Sequence, residues 1–70
     1  MESIELREGD DFIKLSQALK KAGLVENGAE AKTRIRLGEV KVNGEIDDRP
    51  GRKLVSGDVI IFENGQYKIV

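Results

Sequence analysis

The seventy-residue chain contains no cysteine, no histidine and no tryptophan. Without thiols or imidazoles it has no disulfide, no thiol nucleophile, no imidazole base and none of the usual zinc or iron–sulfur ligand sets. Most enzyme mechanisms fall away with them, and no cofactor is expected. Two phenylalanines and one tyrosine are the only aromatic residues. The core must therefore come mainly from leucine, isoleucine and valine, and it must hold without the covalent or metal staple that small domains often use. No apolar run approaches the roughly 20 residues of a membrane-spanning helix. The opening MESIELREGDDF lacks the basic and apolar regions of a signal peptide, so a cytoplasmic protein without membrane contact is expected. Glycine-rich phosphate loops of the Rossmann and Walker kinds are missing too. Ser3, Ser16 and Ser56 have no histidine to activate them.

What the chain does have is charge, unevenly placed. The formal net charge is −1. Residues 1–13 hold five acids against one cation, whereas residues 14–53 hold ten lysines and arginines against six acids. A basic middle is hidden in a neutral average, which can indicate a polyanionic partner. A solvated charged surface gives the same composition.

The length fits one domain, residues 1–70, with no internal repeat or linker. SIEL alternates polar and apolar residues, so Ile4 and Leu6 are expected on one face of a first strand. Asp10 or Asp11 can cap a helix whose stripe is Phe12, Leu15, Leu19 and Ala22 and which stops at Gly23. GAEAKTRIRLG reads as a second helix ending at Gly38, with Ala31 and Ile35 inward and Lys32 with Arg36 on a neighbouring exposed face. Glu30 and Arg34 are spaced to pair on the other flank. Beyond Gly38 the period changes to two: Val40 and Val42 point one way, Lys41 and Asn43 the other. Asn43-Gly44 and Asn64-Gly65 both read as tight hairpin turns, and Pro50-Gly51 marks a turn between them. Strand, helix, helix and then several strands give an α+β fold with two packed helices against a small antiparallel sheet.

Two constellations stand out. At the entry of the second helix, Asn27, Gly28 and Ala29 leave backbone N–H groups near the positive end of the helix dipole, and Lys32 and Arg36 extend that potential along the exposed face. An ordinary solvated face is the alternative. Lys41 and Asn43 project from the strand, and Arg49, Arg52 and Lys53 follow on a loop that returns towards it. Cations on a helix and an adjacent hairpin can grip one nucleic-acid backbone from two sides. The alternative for the loop cations is neutralisation of Asp47 and Asp48. The Asp47-Asp48 and Asp10-Asp11 pairs themselves suit caps and turns better than acid–base chemistry.

The ordered set Leu15, Leu19, Gly23-Leu24, Ala31, Ile35, Gly38, Val40, Val42-Asn43-Gly44, Pro50, Lys53 and Gly57-Asp58 resembles the RNA-binding domain named after ribosomal small-subunit protein four, the alpha-L motif. The resemblance covers about residues 12 to 62, and GEVKVNGE followed by SGD is its most specific part. It implies two helices packed on a small antiparallel sheet, with structured RNA bound where the second helix meets the VNG hairpin, ribosomal RNA or a ribosome assembly intermediate being the candidates. Such modules are not enzymes. The family usually opens that helix with Ser-Arg, and here Asn27-Gly28 replaces the pair, as in short stand-alone bacterial members. Lys32, Arg36, Lys41 and Asn43 carry over from the resemblance. Arg34, Arg49, Arg52 and Lys53 rest on spacing alone.

The substitution at Gly28 suggests that the amides of Gly28 and Ala29 take a phosphate in place of the arginine. With Phe12 and Phe62 assigned to the core, Tyr67 is left as the one candidate for base stacking. The expected partner is RNA and the expected state a monomer. A small protein-binding adaptor without a nucleic-acid role is the other reading, favoured by the acidic first segment and the near-neutral net charge.

Overall fold

Alternating and helical periodicities divide the chain much as expected, and the computed structural model describes all of residues 1–70. Strand β1 is Glu2–Ile4 and the two-residue β2 is Ile13–Lys14; helices α1, Leu15–Lys21, and α2, Gly28–Arg36, follow. Then come β3 (Val40–Val42), β4 (Glu45–Ile46), β5 (Lys53–Leu54), β6 (Val59–Phe62) and β7 (Gly65–Ile69). The fold is α+β. Five strands form one sheet in the order β1-β7-β6-β3-β4, and β2 pairs with β5 in a separate antiparallel ladder. The sheet is antiparallel except at one edge, where β1 runs parallel to β7 with Glu2 opposite Tyr67 and Ile4 opposite Ile69.

At seven and nine residues, α1 and α2 are shorter than the roughly 12–15 that an isolated helix needs in water, so packing must hold them. Leu15, Ala18 and Leu19 from α1 and Ala31 and Ile35 from α2 are buried against Ile4, Val40, Val42, Ile60, Phe62, Tyr67 and Ile69 of the sheet. Both helices end alike. Gly23 (φ 74°) donates to the Lys20 carbonyl and Leu24 to that of Leu19; Gly38 (φ 79°) donates to Ile35 and Glu39 to Arg34. These are Schellman closures, and the positive φ explains the two glycines.

The start of α1 differs from the expectation. Asp10 and Asp11 do not cap it, and Phe12 is not on its stripe. Ile13 and Lys14 are extended, held in the ladder opposite Leu54 and Lys53. The first helical amides find loop carbonyls instead: Leu15 donates to Arg52 (2.8 Å) and Ser16 to Pro50 (3.1 Å). The Gln17 side chain accepts from the Lys14 amide at 3.2 Å. Phe12 is consequently outside the helix and 38 % exposed, not in the core. Likewise β1 ends at Ile4, and Leu6 is only half-buried, its amide bonded to the Val70 carbonyl.

Asn43 (φ 52°) and Gly44 (φ 87°) form the two-residue β3–β4 turn, with Val42 opposite Glu45. The β6–β7 turn falls one residue earlier than its Asn-Gly pair suggests. Its central residues are Glu63 (φ 47°) and Asn64 (φ 69°), and Gly65 is already in β7 opposite Phe62. Space, not backbone freedom, is what this glycine provides: a Cβ at Gly65 would meet the Tyr67 hydroxyl and lie 2.8 and 2.9 Å from two ring carbons. The tyrosine lies over the glycine and closes the core there, which leaves the residue only 9 % exposed and removes it as a stacking surface.

Gly65→Ala is expected to lower stability by roughly 1–3 kcal/mol through overpacking. Tyr67→Leu in the same chain should recover part of that loss. Thermal unfolding of the two single variants and the double variant checks the coupling, and strictly additive losses would show that the ring and the glycine do not interact.

Candidate nucleic-acid interface

Twelve lysines and arginines are present, and the fold sorts them by whether a carboxylate lies within reach. Asp47, only 6 % exposed, collects two arginines. Arg49 approaches it with two nitrogens, Nε at 3.0 Å and Nη2 at 2.8 Å, and Arg52 adds Nη1 at 2.6 Å. The Arg49 amide donates to the same carboxylate at 3.0 Å. Hydrogen bonds from Arg49 outweigh burial, and the Arg52 bond adds to them, so the carboxyl is held well below its usual range. The neutralising role weighed for the loop cations is therefore real for Asp47. Arg49 nonetheless keeps 67 % of its side chain exposed, against 30 % for Arg52.

Arg34 pairs with more than Glu30, which lies 3.8 Å away. It bonds Glu63 at 2.5 Å and also Glu39, while its guanidinium lies 4.7 Å above the Phe62 ring. The bond to Glu63, followed by that to Glu39, pushes its pKa up. This arginine pins the end of α2 to the β6–β7 turn.

Asn43 is also engaged inward. Its Nδ2 donates to Asp58 (3.0 Å), its Oδ1 accepts from the Val59 amide (3.0 Å), and its own amide donates to the Val59 carbonyl (2.8 Å). Asp58 in turn accepts from the Val55 amide at 2.8 Å. Burial pushes the Asp58 carboxyl up, but the bonds from Asn43 and Val55 overcome it and leave the pKa lowered. The VNG and SGD segments thus touch, Asn43 bridging one turn to the other.

Lys32, Arg36 and Lys41 have no carboxylate partner and are exposed. Lys32 and Arg36 share the flank of α2 away from Arg34. Lys41 stands on the outer face of the sheet, since Val40 and Val42 on either side of it are buried. Lys53 is exposed as well, its ammonium 4.9 Å above the Phe12 ring. At the α2 entry, Asn27 is the cap: its side chain accepts from the Glu30 amide at 2.8 Å. The Gly28 and Ala29 amides have no partner within the chain. The Glu30 carboxylate, in the same first turn, is bonded to the Glu26 amide at 2.9 Å. Its negative charge partly satisfies the helix dipole that a phosphate would use.

Reasoning from sequence missed Lys14, which the β2–β5 ladder places directly opposite Lys53. Two extended residues ahead of a helix carry too little periodicity to be seen; the only signal is a cation, Lys14, set between the apolar Ile13 and Leu15.

A family model described as the S4 domain matches residues 4–70. The chain belongs to the S4 domain family. It is 43 % identical over 61 residues to a Bacillus subtilis protein named "Probable ribosome maturation protein RlbA", with 86 % of each chain covered. It is 36 % identical over 58 residues to the Escherichia coli "Putative RNA-binding protein YbcJ", with 83 % of each covered. The solution structure of YbcJ, described as revealing an alfaL motif involved in RNA-binding, superposes with a TM-score of 0.72 at 33 % identity, covering all of this chain and 87 % of that one. The S4 domain fold agrees with the resemblance read from VNG and SGD. No helix of the chain is long and apolar enough to cross a membrane.

Removing the Asp47 charge tests the loop. Asp47→Asn leaves Arg49 and Arg52 around a neutral amide and should cost about 3 kcal/mol at pH 7. Because the folded-state pKa lies below the ordinary 3.8, the stabilisation is complete above that value and is lost as pH falls through the folded pKa. Wild type and variant should therefore differ by a constant amount from pH 7 to 5 and converge below 3.8 in urea titrations. A pH-independent difference would contradict the assignment.

Proposed function

We propose that this protein is a non-enzymatic module that binds structured RNA in the cytoplasm as a monomer. Membership of the S4 domain family supports this, as do the names of the two relatives. The observation that carries it is the sorting of cations: Arg34 and Arg52 are neutralised inside the fold, while Lys32, Arg36 and Lys41 are left exposed with no counter-ion. Unpaired cations at fixed positions on a helix and a sheet suit a phosphate backbone of defined shape.

In this reading Lys32 and Arg36 form one arm and Lys41 the other. Arg49, held by Asp47 yet largely exposed, and Lys53 extend the surface from the loop. Asn43, Arg34 and Arg52 set the positions of these groups. The N-terminal turn of α2 offers the Gly28 and Ala29 amides to one phosphate, with Asn27 fixing the turn, and Glu30 limits what that turn contributes. Ribosomal RNA or a ribosome assembly intermediate is the proposed target, by analogy with the ribosome maturation name of the Bacillus subtilis relative. The adaptor reading is favoured by one feature, the exposed Leu37 and Ile46 beside the end of α2.

Binding to ribosomal RNA, measured by fluorescence anisotropy over a salt series, should weaken steeply as salt rises. Lys32→Gln with Arg36→Gln should reduce the log–log salt slope by about 1.5, since each neutralised phosphate contributes roughly 0.7–0.9. Changing both to Glu should abolish binding. Unchanged affinity in the double Glu variant would overturn this interface. RNA-free purification with capture of a defined protein would favour the adaptor.

A further inference from the structure

Three features around β2 each work against folding on its own terms, and they coincide. Phe12 leaves a large apolar ring in solvent, in a chain whose other aromatic side chains, Phe62 and Tyr67, are buried. Lys14 and Lys53 are directly opposite each other in an antiparallel ladder, where facing residues come within about 5.5 Å between Cα atoms and like charges are destabilising. Neither has a carboxylate partner. Lys53 lies over the Phe12 ring, and Lys14 faces Lys53 across the ladder and lines a shallow groove with Phe12, Asp10 and Asp11. The ring also lines a 460 Å³ groove between the segment that leads into β2 and α1, where Arg7, Lys20 and Lys21 oppose a single carboxylate, Asp10.

We infer that Phe12, Lys14 and Lys53 form a stacking subsite for one unpaired nucleotide of a structured RNA, the base on the Phe12 ring and its flanking phosphates on the two lysines. The inference rests on the RNA-binding reading above and adds to it the kind of RNA feature recognised. An aromatic face accepts any base, because every base has a π surface. Two lysines facing each other repel until an anion lies between them, and a phosphate supplies that anion. In the free protein the Lys53 ammonium covers the ring. A base arriving there replaces one π contact with another and releases the ammonium to the phosphate. Arg7, Lys20 and Lys21 lead the strand onward along the groove. Lys32 and Arg36 grip paired backbone in the proposed interface, so the two surfaces would together select a helix interrupted by an unpaired base.

Two RNA hairpins test this, one fully paired and one identical except for a single 2-aminopurine bulge. Phe12→Leu keeps apolar bulk and removes the π face; circular dichroism checks that it folds. It should bind the bulged hairpin about tenfold more weakly than wild type and the paired hairpin equally well, with loss of the 2-aminopurine quenching that wild type produces. Phe12→Trp should restore both affinity and quenching. Lys14→Gln and Lys53→Gln should each lower the salt slope for the bulged hairpin by about 0.7–0.9. If wild type binds both hairpins and Phe12→Leu matches it on both, or loses affinity equally on both, the stacking subsite is wrong and the RNA-binding reading stands. If wild type binds neither hairpin nor ribosomal RNA, that reading falls and the subsite with it.

Discussion

The carboxylate of Asp47 is the point on which this small fold turns. Its backbone amide donates to the Val40 carbonyl and so belongs to the sheet. Its side chain draws in Arg49 and Arg52, which orders the turn around Pro50. The carbonyls of that turn, Pro50 and Arg52, then receive the first amides of α1. One buried charge thereby connects β3 to the start of α1, on the far side of α2 in sequence. A lone buried carboxylate would be a serious cost, and here hydrogen bonds from two guanidinium groups and an amide compensate it. The arrangement gives this loop a definite shape, which Gly and charged residues alone would not.

The same logic divides the basic residues. An arginine with a carboxylate in reach becomes part of the architecture: Arg34 joins α2 to the β6–β7 turn, and Arg52 shapes the loop. Lysines in this chain form no such pairs. That difference follows from side-chain chemistry, since the guanidinium offers several fixed donors to a carboxylate while an ammonium remains a mobile, strongly hydrated point charge. Lysine-rich surface and arginine-rich scaffold are therefore two populations, and a count of basic residues conflates them.

Much of the architecture was legible from sequence where a residue has one physical use. Gly23 and Gly38 ended helices because a left-handed residue there favours glycine, and Asn43-Gly44 marked a turn for the same reason. Asn64-Gly65 misled because Gly65 has a second use, room for the Tyr67 ring, which only the packed sheet makes visible. Phe12 misled because its spacing to Leu15 and Leu19 is helical, yet ladder pairing with Leu54 and Lys53 keeps the preceding turn extended. In the candidate interface, Lys32, Arg36 and Lys41 were readable because a helical or strand period assigns them an outward face. Asn43 was read as a free group because its partner Asp58 is distant in sequence. For Arg34 the pairing with Glu30 was legible but the remote Glu63 was not, and for Arg52 neutralisation by Asp47 was one of two open readings until the fold buried that carboxylate.

The parallel pairing of β1 with β7 has a mechanical side. Ile4 and Leu6 exchange backbone hydrogen bonds with Val70, so the first and last strands are stitched along their length. Because the two strands run in the same direction, tension applied through the two chain ends slides them past each other instead of peeling them apart. All the bonds between them are loaded together. A chain with a thin aliphatic core and no covalent crosslink therefore has, along this one direction, its most force-resistant seam.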